Sequence, residues 1–276
     1  MAAYDLRPMG IGDILDTTFR LYRRRFLTFL LIALVVYVPY GILMASLTPI
    51  TIQQHHAVGQ HRVVVQPNQP DIAPVEIHPG QIAGVSIGIF LFAIVLLPLC
   101  SAALVQNISA SYLGENLSAW QSYSRAAPRL LGLLWTEILS GLIIMVGFLL
   151  LIVPGIYFSL WFLLIVPVVV LEKTSGSSAL GRSRTLMRGN LSKGLVLGFA
   201  VAIIGGIINW ALSLLLALVP MNPLIMQMLS IVVAAIILPI QTAPWTLLYY
   251  DLRIRKEAFD IEKLAEQMGQ PKIAAT

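Results

Sequence analysis

The residues of this chain that could ligate a metal ion are four histidines, and all of them fall in one polar stretch, 49–80. They are His55, His56, His61 and His78. With Asp71 or Glu76 they could supply the ligands that Zn²⁺ or Cu²⁺ takes. Their spacing is irregular, however, and prolines interrupt the stretch. We therefore expect a solvated loop, with no metal or cofactor, and no catalysis, because no partnered Ser or Cys nucleophile is recognisable.

A second kind of chemistry would use ionisable or amide groups inside apolar runs. Glu137 is the only carboxylate well inside such a run, and an intramembrane carboxylate is a candidate for transport or proton relay. It lies eight residues past Arg129, about 12 Å along a helix, so it could instead reach the interface or accept hydrogen bonds from Gln106 or Asn107.

Two amides occupy apolar runs near the carboxyl end of the chain. We expect Asn209 and Gln241 to be hydrogen-bond partners between helices rather than parts of a substrate path. The alternative is a transport site, because prolines at 239 and 244 would give the broken helix that transporters use.

Arginines occur in three pairs spaced by four residues, each just before an apolar run. The pairs are Arg20 with Arg24, Arg125 with Arg129, and Arg184 with Arg188. A spacing of four places both members on one helical face. We predict a collar that binds anionic phospholipid headgroups, joined by Arg253, Arg255 and Lys256. The alternative is that these charges only orient the protein.

The composition places these elements in a membrane. Of 276 residues, 58% are hydrophobic and 11% are charged, whereas soluble domains have roughly 45–50% and 25%. The net charge of +5 is therefore explained by the excess of basic residues that cytoplasmic loops carry, and no nucleic-acid partner is expected. Cys100, the one cysteine, excludes a disulfide framework. Residues 1–25 are too polar for a signal-peptide core, so we expect no cleaved segment.

Six apolar runs predict an all-α integral membrane protein of one domain, 1–276, with six transmembrane helices. The spans are about 26–47, 81–107, 130–153, 156–171, 191–218 and 223–250, followed by a polar tail, 251–276, with a possible last helix from Asp260. The third and fourth spans form a hairpin that turns at Pro154-Gly155. Short amphipathic helices are expected at 9–25 and 117–128 on the cytoplasmic surface.

Charge on the loops predicts the orientation. With six spans and both termini cytoplasmic, 17 basic residues lie inside and only Arg62 lies outside. Five spans would invert the positive-inside rule, so six are preferred. The expected location is a bacterial-type plasma membrane.

Small residues spaced by four predict close helix packing in two spans. The predicted stripes are Gly80, Gly84 and Gly88 in the second span, and Gly194, Gly198, Ala202 and Gly206 in the fifth.

Several stretches together resemble the glycerophosphoryl diester phosphodiesterase membrane-domain family. They are 6–16 (LRPMGIGDILD) with Arg20-Leu21-Tyr22, 153–157 (VPGIY), 169–172 (VVLE) with Ala179-Leu180 and Arg182-Ser183, and 247–257 (LLYYDLRIRKE). The resemblance implies a six-helix membrane module, which some members join to a phosphodiesterase barrel. Arg184 stands where the resemblance implies an aromatic residue. This chain has no room for a barrel of roughly 250 residues, so hydrolysis is not implied.

Three classes of function remain, and we expect the first. It is a non-catalytic membrane protein that organises anionic lipids or partner proteins. The alternative is a small-solute or lipid transporter that uses Glu137, Asn209 and Gln241. An enzyme is not expected, because no catalytic constellation is present.

Overall fold

A computed structural model describes residues 8–45, 79–217 and 222–267. These residues are almost entirely helical and contain no strand, and six helical segments among them, some made of consecutive helices, are long and apolar enough to cross a membrane. The all-α, multi-pass prediction is therefore confirmed. The histidine-bearing part of the 49–80 stretch and the last nine residues, 268–276, lie outside the described residues.

The helices follow the apolar runs, with ten α-helices in the described part of the chain. They are α1 (Ile11–Ala45), α2 (Pro79–Leu91), α3 (Leu97–Tyr112), α4 (Ala119–Ala126), α5 (Leu130–Leu150), α6 (Ile152–Trp161), α7 (Ile165–Glu172), α8 (Gly176–Met187), α9 (Leu191–Ala217) and α10 (Pro223–Gln267). A π-helical turn, Phe92–Leu96, joins α2 to α3, and a 3₁₀ turn, Ala127–Arg129, joins α4 to α5. The centre of the bundle is α3, whose residues from Cys100 to Tyr112 are almost all buried.

The predicted surface segment 9–25 and the first span form one helix, α1. Arg25 interrupts it with non-helical angles of φ −121° and ψ 21°. The kink therefore falls where sequence analysis ended the amphipathic segment. Ile14 and Leu21 are buried on the inner face of this segment, while Asp16 and Arg20 are exposed.

The turn of the hairpin was predicted three residues too late. It lies at the extended residue Leu151 (φ −164°, ψ 155°), and Pro154 and Gly155 belong to the first turn of α6. A proline is tolerated there because the first N–H groups of a helix have no intrahelical partner. Glycines let the hairpin close, since a Cβ at Gly147 would lie 3.0 Å from the Cα of Gly155.

The fourth span is two helices rather than one, because the chain leaves helical geometry at residues 162–164 between α6 and α7. The hydroxyl of Ser183 donates to the carbonyl of Trp161 (2.7 Å) and accepts from the N–H of Leu164 (3.3 Å). Pro167 also lacks the N–H that would continue the ladder. A side chain from α8 thus satisfies the interrupted backbone.

The broken helix at Pro239–Pro244 that the transport alternative needs does not occur, and the possible last helix from Asp260 is the end of a longer helix. The helix α10 continues from Pro223 to Gln267. Proline removes one backbone bond but need not end a transmembrane helix when neighbouring elements support it. Here α1 supports α10, for example through the hydroxyl of Tyr22, which donates to the carbonyl of Ile236 (3.1 Å).

The glycine stripe of the second span is not a packing face. An added Cβ at Gly80 or Gly84 would meet nothing within 4 Å, and only Gly88 is approached closely, by Leu43. The prediction that all three glycines are buried in the bundle is therefore wrong.

The stripe of the fifth span was assigned to a face that rotates out of the bundle. Gly194 and Gly205 are buried and Leu197 is fully buried, whereas Ala202 and Gly206 are exposed. Steps of four advance about 40° beyond a full turn of 3.6 residues, so three steps carry the stripe about 120° around α9.

Candidate functional site

A buried carboxylate, Asp251, holds three segments together at one end of the bundle. Its side chain is 0% exposed. Its Oδ1 accepts hydrogen bonds from the N–H of Met9 (2.6 Å) and from Nε of Arg255 (2.9 Å). Its Oδ2 accepts a short hydrogen bond from Nζ of Lys193. The start of α9, α10 and the residues before α1 therefore meet at one charge.

The same two cations also enclose the backbone of Met9. Its carbonyl accepts from Nζ of Lys193 (2.6 Å) and from Nη2 of Arg255 (3.1 Å). A buried ion is costly unless partners compensate its lost hydration, and here every charge has several. The segment entering α1 is consequently fixed to α9 and α10.

A second network joins α7, α8 and α10 beside the first. Nε of Arg182 donates to both carboxylate oxygens of Glu172 (2.9 and 2.8 Å), and its Nη2 donates to Glu257 (2.5 Å). Arg253 donates through Nε to Glu257 (2.7 Å) and through Nη1 to the hydroxyl of Tyr249 (3.1 Å). The Tyr249 hydroxyl donates to Glu172 (3.0 Å), which closes a ring of five side chains.

The end of α8 is held by Lys256. Its ammonium group donates to the carbonyls of Thr185 and Arg188, the latter at 2.8 Å. A cation at these last carbonyls satisfies groups that have no intrahelical donor. Together with the contact between Ser109 of α3 and the Tyr250 hydroxyl (2.6 Å), this brings the ends of α3 and α8, residues 249–257 of α10 and the starts of α1 and α9 to one end of the bundle. We call it the arginine end.

Stretches that carry the family resemblance and lie far apart in the sequence meet in these networks. They are 6–16 through Met9, 169–172 through Glu172, 182–183 through Arg182, and 247–257 through Tyr249, Asp251 and Glu257. Sequence reasoning missed the roles of Asp251 and Glu172. The available signal was that each closes a long apolar run.

The six predicted lipid-binding arginines have different surroundings. Arg20 pairs with Asp16, and Arg125 pairs with Glu115 at 3.3 Å, both in exposed positions. The guanidinium of Arg184 lies 4.0 Å from the ring centroid of Trp161. No carboxylate in the described part of the chain pairs with the others, Arg24, Arg129 and Arg188.

Three arginines on one face of α1 border the same open space. Arg20, Arg23 and Arg24 line it together with Asp16 and Phe19, and its volume is about 740 Å³. Arg253 and Arg255, which were expected to join the collar, are ion-paired within the protein instead.

The proposed partners of Glu137 are engaged elsewhere. Gln106 donates to the carbonyl of Val170 (3.3 Å), and Asn107 donates to the carbonyl of Leu117 (3.0 Å) and to Ser122. The carboxylate of half-buried Glu137 makes no hydrogen bond with another described residue. The alternative in which Gln106 or Asn107 donates a hydrogen bond to Glu137 is therefore wrong.

Asn209 and Gln241 line one cavity between α1, α9 and α10, together with Tyr37. Its volume is about 280 Å³. The amide nitrogen of Gln241 would lie 2.9 Å from a Cβ added at Gly205, so glycine makes room for this side chain. The two amides share the cavity, but no hydrogen bond between them is found in the described residues. The described residues also contain no cluster of three or more side chains that could hold a metal ion.

Comparison with known proteins finds no match, either among protein-family models or among curated proteins and solved structures. The fold therefore defines the class by itself. The chain is an all-α protein with six helical segments suited to cross a membrane.

Replacing Asp251 tests the central ion cluster. Asp251→Asn keeps the size of the side chain but leaves Lys193 and Arg255 without their buried counter-charge. We expect the free energy of unfolding in mixed micelles to fall by roughly 3 kcal/mol. The matched control is Glu115→Gln, which breaks only the exposed pair with Arg125 and should cost less than about 1 kcal/mol. Equal losses in the two variants would contradict the central role of Asp251.

Proposed function

We propose that this chain is a non-catalytic membrane protein that binds anionic phospholipid headgroups at its arginine end. The observation that carries the proposal is the face of α1 on which Arg20, Arg23 and Arg24 together border an open space of about 740 Å³. Several guanidinium groups around one space suit a phosphate, which accepts bidentate hydrogen bonds from the planar fork of arginine.

The basic residues that flank the spans fall into two groups, which supports the proposal. Arg182, Lys193, Arg253 and Arg255 are neutralised by buried or half-buried carboxylates of the protein. Arg23, Arg24, Arg129 and Arg188 have no such partner in the described residues. Orientation of the protein needs positive charge only, whereas a space bordered by arginines also suits an anionic ligand.

An aromatic ring positions Arg184 of α8. Trp161 lies under the guanidinium of Arg184, and this stacking leaves the N–H groups at the edge of the guanidinium plane for an anion. Each basic residue near an anionic leaflet contributes about 1 kcal/mol, so six arginines would give a substantial preference.

We further propose that both termini face the cytoplasm of a bacterial-type plasma membrane, so that the arginine end meets the inner leaflet. The count of 17 basic residues against one supports this orientation. Membership of the glycerophosphoryl diester phosphodiesterase membrane-domain family, and partner proteins that share the bound lipids, belong to the same proposal.

Transport is the second candidate, and it is favoured by the cavity that Tyr37, Asn209 and Gln241 line. Polar groups at this depth between spans suit a small polar solute or a lipid headgroup. The helix α10 is continuous through both of its internal prolines, however, so the broken helix of many transport sites is absent from it. Lipid binding is therefore our first proposal.

Replacing the three arginine pairs by glutamine tests lipid binding. The replaced residues are Arg20, Arg24, Arg125, Arg129, Arg184 and Arg188. In native mass spectrometry we expect the wild type to retain phosphatidylglycerol or cardiolipin over phosphatidylethanolamine. In the glutamine variant this preference should fall by more than about tenfold. A lysine variant is the matched control, because it keeps the orienting charge but loses the bidentate fork, and its preference should be intermediate. A correctly inserted glutamine variant with unchanged adducts would refute lipid binding.

Cysteine labelling tests the orientation. With Cys100 replaced by alanine, we expect Gln66→Cys to react with an impermeant thiol reagent added outside intact cells. Ser177→Cys, which is exposed on α8, should react only after the membrane is opened. Labelling of Ser177→Cys from outside would show that the orientation is reversed.

Water access to the cavity tests transport. In the same background, a cavity that passes polar solutes should let a small charged thiol reagent modify Gln241→Cys. Ile207→Cys is the control, because Ile207 is 60% exposed on α9 but does not line the cavity. If both cysteines are equally unreactive, the cavity is closed to water and the transport candidate fails.

A further inference from the structure

An apolar groove lies between α1, α3 and α4. Its volume is about 790 Å³. Its walls are the side chains of α1 from Leu31 to Pro39, those of Leu96 and Leu99, and the face of α4 that carries Trp120 and Tyr123. The groove opens toward the lipid, since Val35 is 58% exposed and Trp120 is 80% exposed.

The groove is a built feature, because polar contacts fix α4 in place. The hydroxyl of Ser118 accepts from the N–H of Gln121 (3.2 Å), and the Gln121 side chain accepts from the N–H of Ser118 (2.9 Å). This capping box defines the start of α4. Buried Asn107 of α3 donates to the carbonyl of Leu117 and to the hydroxyl of Ser122 (3.0 and 2.8 Å).

A third contact ties α4 to α1 at the floor of the groove. The hydroxyl of Tyr123 donates to the carbonyl of Ile32 (2.6 Å). One hydrogen bond thus joins α4 to α1 and others join α4 to α3, so the opening between the walls is held at a set width.

We propose that this groove holds one acyl chain of an anionic phospholipid from the leaflet at the arginine end. From Leu31 to Pro39 the helix rises about 12 Å, close to the roughly 15 Å of hydrocarbon that one leaflet contributes to the bilayer core. A single flexible acyl chain of that length fits the apolar space.

The headgroup of the same lipid would lie at the end of α4. Pro128 lines the groove, and the next residue, Arg129, has no carboxylate partner in the described residues. Arg125 lies one turn earlier, and its one ion pair among the described residues is the exposed pair with Glu115. Trp120 at the mouth is suited to the boundary between headgroups and hydrocarbon. This assignment of the headgroup rests on the function proposed above, whereas the seat of the acyl chain rests on the groove alone.

Photolabelling tests the seat of the acyl chain. Phosphatidylglycerol with a photoactivatable group in its acyl chain is placed in nanodiscs of phosphatidylcholine with wild-type protein. We expect the label on peptides that line the groove to exceed the label on the equally exposed residues Phe199 and Ile203 of α9. Uniform labelling of all exposed apolar residues would overturn the proposal.

A pair of variants sharpens the test. Val35→Trp fills the groove and should abolish the excess label. Ile42→Trp is the matched control, because Ile42 lies two turns further along the same face of α1, is 65% exposed and does not line the groove. If Val35→Trp does not fold, the wild-type pattern still decides the result. If it folds and labels as before, the groove does not hold the chain.

A third variant separates this proposal from headgroup binding. Arg129→Gln should keep the groove labelled but remove the advantage of the phosphatidylglycerol probe over a phosphatidylcholine probe. Excess labelling with no headgroup preference in the wild type would leave the acyl seat standing and refute headgroup recognition. Suppose instead that the glutamine variant of the arginine pairs loses its anionic adducts while the wild type is labelled uniformly. Headgroup recognition would then stand, and the acyl seat would be refuted.

Discussion

The buried charge of Asp251 is the constraint on which the arginine end depends. A carboxylate that is fully removed from water must be neutralised and hydrogen-bonded, and its partners come from α9, α10 and the backbone before α1. None of these segments can move alone without exposing or unpairing the charge. The amphipathic half of α1 and its arginines therefore extend from a fixed backbone.

The same constraint divides the basic residues of the chain. Lys193 and Arg255 form ion pairs with Asp251, and Arg182 and Arg253 form ion pairs with Glu172 and Glu257. Charge counted along the sequence cannot distinguish these residues from the arginines that face outward, because the difference depends on which carboxylates the fold brings near. The count supports an orientation, while the contacts identify which cations remain to meet an external anion.

Six spans were predictable because long apolar runs depend only on local composition, and the kink at Arg25 coincides with the end of the amphipathic pattern. Features that depend on tertiary partners were not predictable. The break before α7 needs the hydroxyl of Ser183 from another helix, and the continuity of α10 through Pro239 needs the support of its neighbours. The glycine stripe of α9 failed for a geometric reason, since steps of four drift around a helix of 3.6 residues per turn.

The pairs at the arginine end differ in how readily an external anion could replace them. The pairs Arg20–Asp16 and Arg125–Glu115 are exposed, and such pairs contribute only about 0 to 1 kcal/mol. A phosphate could displace these carboxylates into water at little cost. Breaking the buried contacts of Asp251 would instead leave uncompensated charge. A rigid, internally neutralised base that carries exchangeable surface pairs suits reversible binding of headgroups, because little backbone order must be created when the ligand arrives.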